Sequence, residues 1–283
     1  MPLQPLPMGT DAFEASDRLI GARIRAVREA RGRPVFVGLC GAQGSGKSTT
    51  ASRLVTLLAA EGYPAVALSI DDFYLGHADR IALGEAVHPL LVTRGVPGTH
   101  DLSLAETTIA ALLAARPGDA VPLPFFDKTR DDRAPRDEWA VHRGPAGVVL
   151  LEGWCVGARP QPDAALVEPV NALEAEEDAD GAWRGYVNAA LAGPYAALFG
   201  ALDLRILLRA PSFEQVLAWR TEQEQKLDRT AGALPPMDEA ALRRFIAHYE
   251  RITRWLLIDE PADMVIPLAA DRTPLGWRER SAG

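Results

Sequence analysis

Cysteine is scarce in this chain: Cys40 and Cys155 are the only two among 283 residues, each at the end of an apolar run. So few thiols argue against a disulfide framework and suit a reducing compartment, where both are expected to pack as small buried hydrophobes. An excess of basic charge is also lacking. The 30 Lys and Arg stand against 38 Asp and Glu, a formal net charge of −8. That balance argues against a broad nucleic-acid-binding face while leaving room for a local cationic pocket. No apolar run is long enough to cross a bilayer, and the opening MPLQPLPMGT has neither the basic nor the long apolar region of a secretion signal. A soluble, cytoplasmic protein with no nucleic-acid or membrane partner is expected. Internal repeats and low-complexity linkers are absent too, so 1–283 reads as one domain, and 48% hydrophobic content is ample for its core.

What is present is an alternation of apolar runs with amphipathic segments. Residues 11–31 carry Phe13, Leu19, Ile20, Ile24 and Val27 at roughly helical spacing, which predicts an N-terminal helical extension over 1–32. PVFVGLC (34–40), YPAVALSI (63–70), GVVLLEG (147–153), ALDLRILL (201–208) and MVIPLA (264–269) read as strands. Helices are expected at about 47–60, ended by Gly62, and at 101–115 and 212–227. The expected fold is therefore α/β: a three-layer, doubly wound arrangement around a five-stranded, mainly parallel sheet. Two regions break the rhythm. Residues 120–145, rich in Pro, Asp and Arg, read as a functional insertion, and the acidic 172–184 as a solvated surface segment.

GAQGSGKST is the strongest local signal. Gly41, Gly46, Lys47 and Ser48 fill G-x4-G-K-[ST] between a predicted strand and a predicted helix. Glycines there let the backbone of Gly41, Ala42, Gln43, Gly44, Ser45, Gly46, Lys47, Ser48 and Thr49 aim N–H groups at phosphates. Lys47 then neutralises charge and Ser48 reaches Mg2+. VVLLEGW delivers Glu152 at a strand end, where P-loop enzymes hold Mg2+. These features predict ATP and Mg2+ as cofactors in a P-loop NTPase fold. No N-K-x-D guanine motif occurs, and the one D-x-x-G match, Asp178 to Gly181, lies in the acidic segment rather than after a strand, so a GTPase is a weak reading.

A kinase for a small metabolite needs a carboxylate for the acceptor hydroxyl, cations for the acceptor and an arginine-bearing lid. LSIDDFYL (68–75) offers Asp71 and Asp72 at the end of a strand expected to lie next to the P-loop unit. Alternation along a strand would send them to opposite faces, Asp71 to the acceptor and Asp72 to a loop cation or, through water, to Mg2+. TRGVPGTHDL adds Arg94, His100 and Asp101; PLPFFDKTRDDRAP adds Asp127, Lys128, Arg130 and Arg133; Tyr74 is a candidate pocket wall. The charged helix with Arg220 running into a Gly/Pro-rich loop reads as a lid over 212–240, with Arg220 reaching the transferring charge. Each of these residues alone also fits a plain surface or core role, and a nucleotide-binding regulator with ATPase activity stays open.

GAQGSGKSTT, LSIDDFYL, RGVPGTHD, PFFDKTRDDRAP, VVLLEGW and AWRTEQE, in this order and with similar spacing, together resemble the D-glycerate 3-kinase family of plants and its fungal and bacterial relatives. That family is itself similar to uridine kinase, phosphoribulokinase and bacterial pantothenate kinase. The resemblance runs from about residue 34 to 275 and implies transfer of phosphate from MgATP to the 3-hydroxyl of D-glycerate, with Asp71 in the position of the base. A nucleoside, pantothenate or a sugar remains the alternative acceptor, and either a monomer or a homodimer is compatible.

Overall fold

The computed structural model describes residues 2–7, 11–226 and 238–280, without the side chains of 224–226. Helix α1 (Ala12–Arg31) starts where the Asp11 carboxylate accepts the N–H groups of Phe13 and Glu14, and it stops at Gly32 in the left-handed conformation. The fully buried β1 (Val35–Gly41) leads into α2 (Lys47–Ala60). Strand β2 (Ala65–Ser69) follows, then α3 (His77–Ala86) and α4 (Leu102–Ala114). The insertion holds β3 (Ala120–Leu123), β4 (Phe126–Asp127), β5 (Asp132–Arg133) and β6 (Ala140–Arg143). Beyond it come β7 (Val148–Gly153), α5 (Ala172–Glu177), α6 (Ala182–Ala192), α7 (Pro194–Gly200) and β8 (Leu204–Arg209). The chain ends with α8 (Phe213–Lys226), α9 (Glu239–Asp259), β9 (Met264–Pro267) and β10 (Arg278–Glu279).

The central sheet runs β10-β9-β8-β1-β7-β2, parallel except at β10. Side chains alternate across it. Val35, Val37 and Leu39 of β1 enter a core with Ile20, Leu54 and Trp219, while Phe36 and Cys40 enter the opposite core with Ile109, Leu198 and Ile252. Helices α1, α2 and α8 therefore cover one face and α4, α6, α7 and α9 the other, which makes the three layers. All five expected strands are present; the short antiparallel β10 adds a sixth, too brief to leave a periodic signal.

Four expectations need correction. The apolar run of β2 ends at Ser69, and residues 70–73 form a 3-10 turn, so strand alternation does not separate Asp71 from Asp72. A 3-10 turn places consecutive side chains about 120° apart, which separates them by another route. Strand β7 also lies between β1 and β2.

The acidic segment is solvated only in part: Glu176, Glu177 and Asp180 are exposed, but Glu174 and Asp178 are not. Glu174 is fully buried against Arg251 of α9, at 2.8 Å to Nε and 2.6 Å to Nη2. Asp178 is buried too, taking the N–H of Trp183 at 2.7 Å and Arg184 Nη1 at 2.9 Å. Buried carboxylates persist only with such partners, and Arg251 stands 77 residues from Glu174.

The proposed lid is in its first turns part of the body: Phe213, Val216 and Trp219 of α8 are buried. Residues 227–237 of that lid lie outside the described residues.

Candidate active site

The phosphate cradle forms where β1 turns into α2. Gly46, at the N-cap, has φ 87° and Gly44 φ 74°, conformations that cost a side-chain-bearing residue dearly. Gly44 is also pressed on its open side, since a Cβ there would sit 2.7 Å from Cβ of Trp219. Arg272, beyond β9, donates from Nε to the Gly44 carbonyl at 2.6 Å, pairs with Glu222 at 2.7 Å and lies 5.4 Å over the Trp219 ring. The loop is thus braced by α8 and by the segment after β9, the preorganisation that phosphate binding by backbone N–H groups requires.

Glu152 arrives from β7 beside this cradle, in one row of the sheet with Leu39 of β1 and Ser69 of β2. Ser48 donates to its Oε1 at 2.7 Å, while Oε2 is buried without a partner. An orphaned carboxylate oxygen next to a hydroxyl fits a hard divalent cation. Among the described residues no group of three or more His, Cys, Asp or Glu could hold a metal; one carboxylate and one hydroxyl make the sparse protein share that Mg2+ takes when phosphates and water supply the rest. Ser48, Glu152, Ser69 and Asp72 line a cavity of about 400 Å³.

Past β2 the 3-10 turn presents its two acids differently. Asp71 accepts from Lys128 Nζ at 2.6 Å and from the Tyr74 hydroxyl at 2.9 Å. Burial works against its ionisation, yet the ammonium groups of Lys128 and Lys47 outweigh that and hold its carboxyl at about 2. Asp72 accepts the Phe126 N–H at 3.3 Å, tying the insertion to the sheet. Burial, with the charge of Asp71 added, pushes its carboxyl up to about 6 despite that hydrogen bond. Among the described residues Asp72 meets no loop arginine through a side-chain hydrogen bond; it lines the same cavity as Ser48 and Glu152.

Further acceptor candidates gather around Tyr74. The His100 ring stacks on the Tyr74 ring at 4.5 Å, and its Nδ1 lies 2.5 Å from the hydroxyl of Tyr195. Burial takes His100 down to about 4, leaving it neutral at physiological pH. Asp101 caps α4 through the Leu104 N–H at 3.0 Å and accepts Arg133 at 3.1 Å; Arg133 also reaches the Tyr74 carbonyl at 3.2 Å. Arg94 pairs with Asp131 and lies 5.5 Å over the Phe126 ring. Asp127 folds back on its own turn, accepting Thr129, and Arg130 pairs with Asp127 and Glu138 at the surface. Arg220 stands one residue past Trp219, 5.9 Å over the ring of Phe245.

The structure therefore joins the P-loop, Ser48, Glu152, Asp71, Tyr74, His100, Asp101, Lys128 and Arg133 into one connected site, with Arg94 attached through Asp131. Four participants escaped the sequence reading. Asp131 also binds the buried Arg80 at 2.9 Å; Tyr195 holds His100; Tyr249 donates to the Arg94 carbonyl at 3.2 Å; and Arg272 braces the cradle. The glycines opposite were a usable hint: Gly95 has φ 142°, and a Cβ there would overlap the Tyr249 hydroxyl at 2.2 Å.

A parallel sheet with a strand-loop-helix phosphate cradle, a carboxylate on the neighbouring strand and an ionised carboxylate beyond it defines a P-loop phosphotransferase. No family model matches the chain. It is 32% identical over 225 residues to the uncharacterized kinase mug58 of Schizosaccharomyces pombe, covering 77% of this chain and 79% of that protein. To the chloroplastic D-glycerate 3-kinase of Arabidopsis thaliana it is 28% identical over 76% of this chain, and it spans 46% of that protein's length. The solved D-glycerate 3-kinase of Cryptococcus neoformans superposes with a TM-score of 0.76 at 25% identity, over 94% of this chain and 99% of that one. The chain belongs to this D-glycerate 3-kinase-related family of ATP-dependent P-loop kinases. No described helix is long and apolar enough to cross a membrane.

Proposed function

We propose that this kinase transfers the γ-phosphoryl group of MgATP to the 3-hydroxyl of D-glycerate, giving 3-phosphoglycerate and ADP. The observation that carries the reading is the setting of Asp71, ionised and held by Lys128 and Tyr74 across the strand ends from Lys47 and Glu152. The backbone of 41–49 and Lys47 bind the β and γ phosphates, and Ser48 and Glu152 would hold Mg2+, which would supply charge neutralisation. Asp71 orients the acceptor hydroxyl and takes its proton as the oxygen–phosphorus bond forms and the bond to ADP breaks. A carboxyl held near 2 is a weak base, and this suits a loose transition state in which positioning outweighs proton abstraction. Arg94, Lys128 and Arg133 all pair with carboxylates in the present structure, Asp131, Asp71 and Asp101. The same cations serve the carboxylate of the acceptor, the guanidinium groups in bidentate fashion, and Arg220 screens charge in the transition state.

The test is a panel of hydroxy acids, nucleosides, pantothenate and sugars incubated with labelled ATP. D-glycerate is expected to lead by orders of magnitude. A nucleoside, pantothenate or sugar in front would replace the acceptor, and ATP hydrolysis indifferent to every acceptor would remove the kinase reading of the site.

A further inference from the structure

Tyr195, on α7 and outside every motif of the sequence, governs a proton at the acceptor site. Its hydroxyl oxygen accepts the backbone N–H of Gly98 at 3.0 Å. Among the described residues the acceptor within reach of its single hydrogen is His100 Nδ1, 2.5 Å away, so the hydroxyl gives its hydrogen there. Nδ1 is then the acceptor of this pair, so the ring proton of a neutral histidine resides on Nε2. That Nε2 is buried and has no partner among the described residues. An unmet buried donor is costly, a burden that function rather than folding explains. The same ring stacks on Tyr74, whose hydroxyl holds Asp71. Both Tyr195 and His100 are almost fully buried, 1% and 6% exposed, so bulk water does not compete for these bonds.

We infer that Tyr195 is a positioning residue of the phosphoryl-acceptor site: it fixes His100 as the Nε2–H tautomer, keeps the ring stacked under Tyr74 and so steadies Asp71, and leaves Nε2–H as the donor for an oxygen of the bound acceptor. A donor of this kind selects acceptors that carry an oxygen at that place and disfavours those that lack one, because the latter leave it unpaired. The inference rests on the acceptor site proposed above, but the tautomer does not depend on which acceptor is used.

Long-range 15N–1H correlation spectra of the histidine rings in the full-length protein, assigned with His100→Gln, test it first. The Nε2–H pattern is expected for His100 in the wild type, and a mixed or Nδ1–H pattern in Tyr195→Phe. An Nδ1–H wild-type ring would overturn the inference whatever the acceptor proves to be. Kinetics follow, using the leading acceptor of the panel. Tyr195→Phe should raise the acceptor KM about 10-fold, the scale of one lost hydrogen bond to a charged group, with the KM for ATP within about twofold of wild type. Unchanged acceptor KM and kcat in a folded Tyr195→Phe would overturn it. Should that variant not fold, the pair His100→Gln and His100→Asn decides: glutamine keeps a donor near the Nε2 position and should retain more acceptor affinity than asparagine, and equal loss in both would count against the assigned donor. Glycerate failing as a substrate while the tautomer stands would touch the proposed function alone.

Discussion

Lys128 Nζ stands 2.6 Å from Asp71 Oδ2, an ion pair that joins the tip of the insertion to the turn after β2 across 57 residues of chain. It puts a cation and the carboxylate proposed to orient the acceptor hydroxyl at one point. It also explains why Asp71 stays ionised although partial burial opposes its charge. For a reaction that runs on positioning and electrostatics, such a pair can both hold the carboxylate in its charged form and meet an anionic acceptor.

Replacing Asp71 with Asn keeps the shape and removes the charge. Turnover should fall about 100-fold or more with the protein still folded, as expected for loss of a group acting in the transition state. The check is steady-state kinetics together with a melting curve. Near-wild-type kcat would remove Asp71 from its role.

Asp72→Asn should act differently. Its carboxyl is raised to about 6 in the folded protein from an ordinary value of 3.8. A raised carboxyl contributes stability that is complete below the unfolded value and lost as pH climbs through the folded one. Asp72 therefore weakens the fold above about pH 6, and Asn should flatten the pH dependence between 4 and 6. At pH 7.5 it should gain on the order of 1 kcal/mol once solvent screening at this partly exposed site is allowed for. Urea titrations of both proteins at pH 5 and 7.5 measure it. The kcat loss should be smaller than for Asp71→Asn; equal losses would show that the two acids are not divided in role.

Glu152→Gln leaves the Ser48 contact possible but removes the one carboxylate, with its unpartnered Oε2, from the proposed donor set. The Mg2+ concentration for half-maximal activity should rise about 10-fold or more, since hard cations favour carboxylate over amide oxygen. A Mg2+ titration at saturating ATP gives the answer, and an unshifted midpoint would move the metal elsewhere.

Gly44→Ala places a methyl group 2.7 Å from Trp219 Cβ at a φ of 74°. Loss of about 1–3 kcal/mol of stability is expected from strain and overpacking together. ATP binding should weaken more than acceptor binding. Calorimetric titration of nucleotide, beside a thermal melt, separates the two.

Much of this molecule was legible in local pattern. Each expected strand falls within a few residues of its place because a strand buried on both faces needs an unbroken apolar run. The P-loop was readable because backbone conformation, helix start and phosphate contact all reside within nine consecutive residues. The acidic segment misled for the opposite reason. Glu174 and Asp178 look like solvent-facing charge in sequence, and only Arg251 and Arg184, brought in by folding, make their burial tolerable. The order β1-β7-β2 likewise depends on which strand inserts where, which no single run of residues encodes.

In LSIDDFYL the sequence by itself determined that two carboxylates would stand at the end of a strand of the sheet that carries the phosphate cradle. Tertiary structure decided what each acid does. Asp71 became an ionised group because Lys128 and Lys47 come within Coulomb range of it. Asp72 became a weakly acidic one because burial and the charge of Asp71 outweigh the Phe126 N–H that it accepts. Charge state depends on burial and on partners distant in the chain, and those exist only once the insertion has folded back over the strand ends.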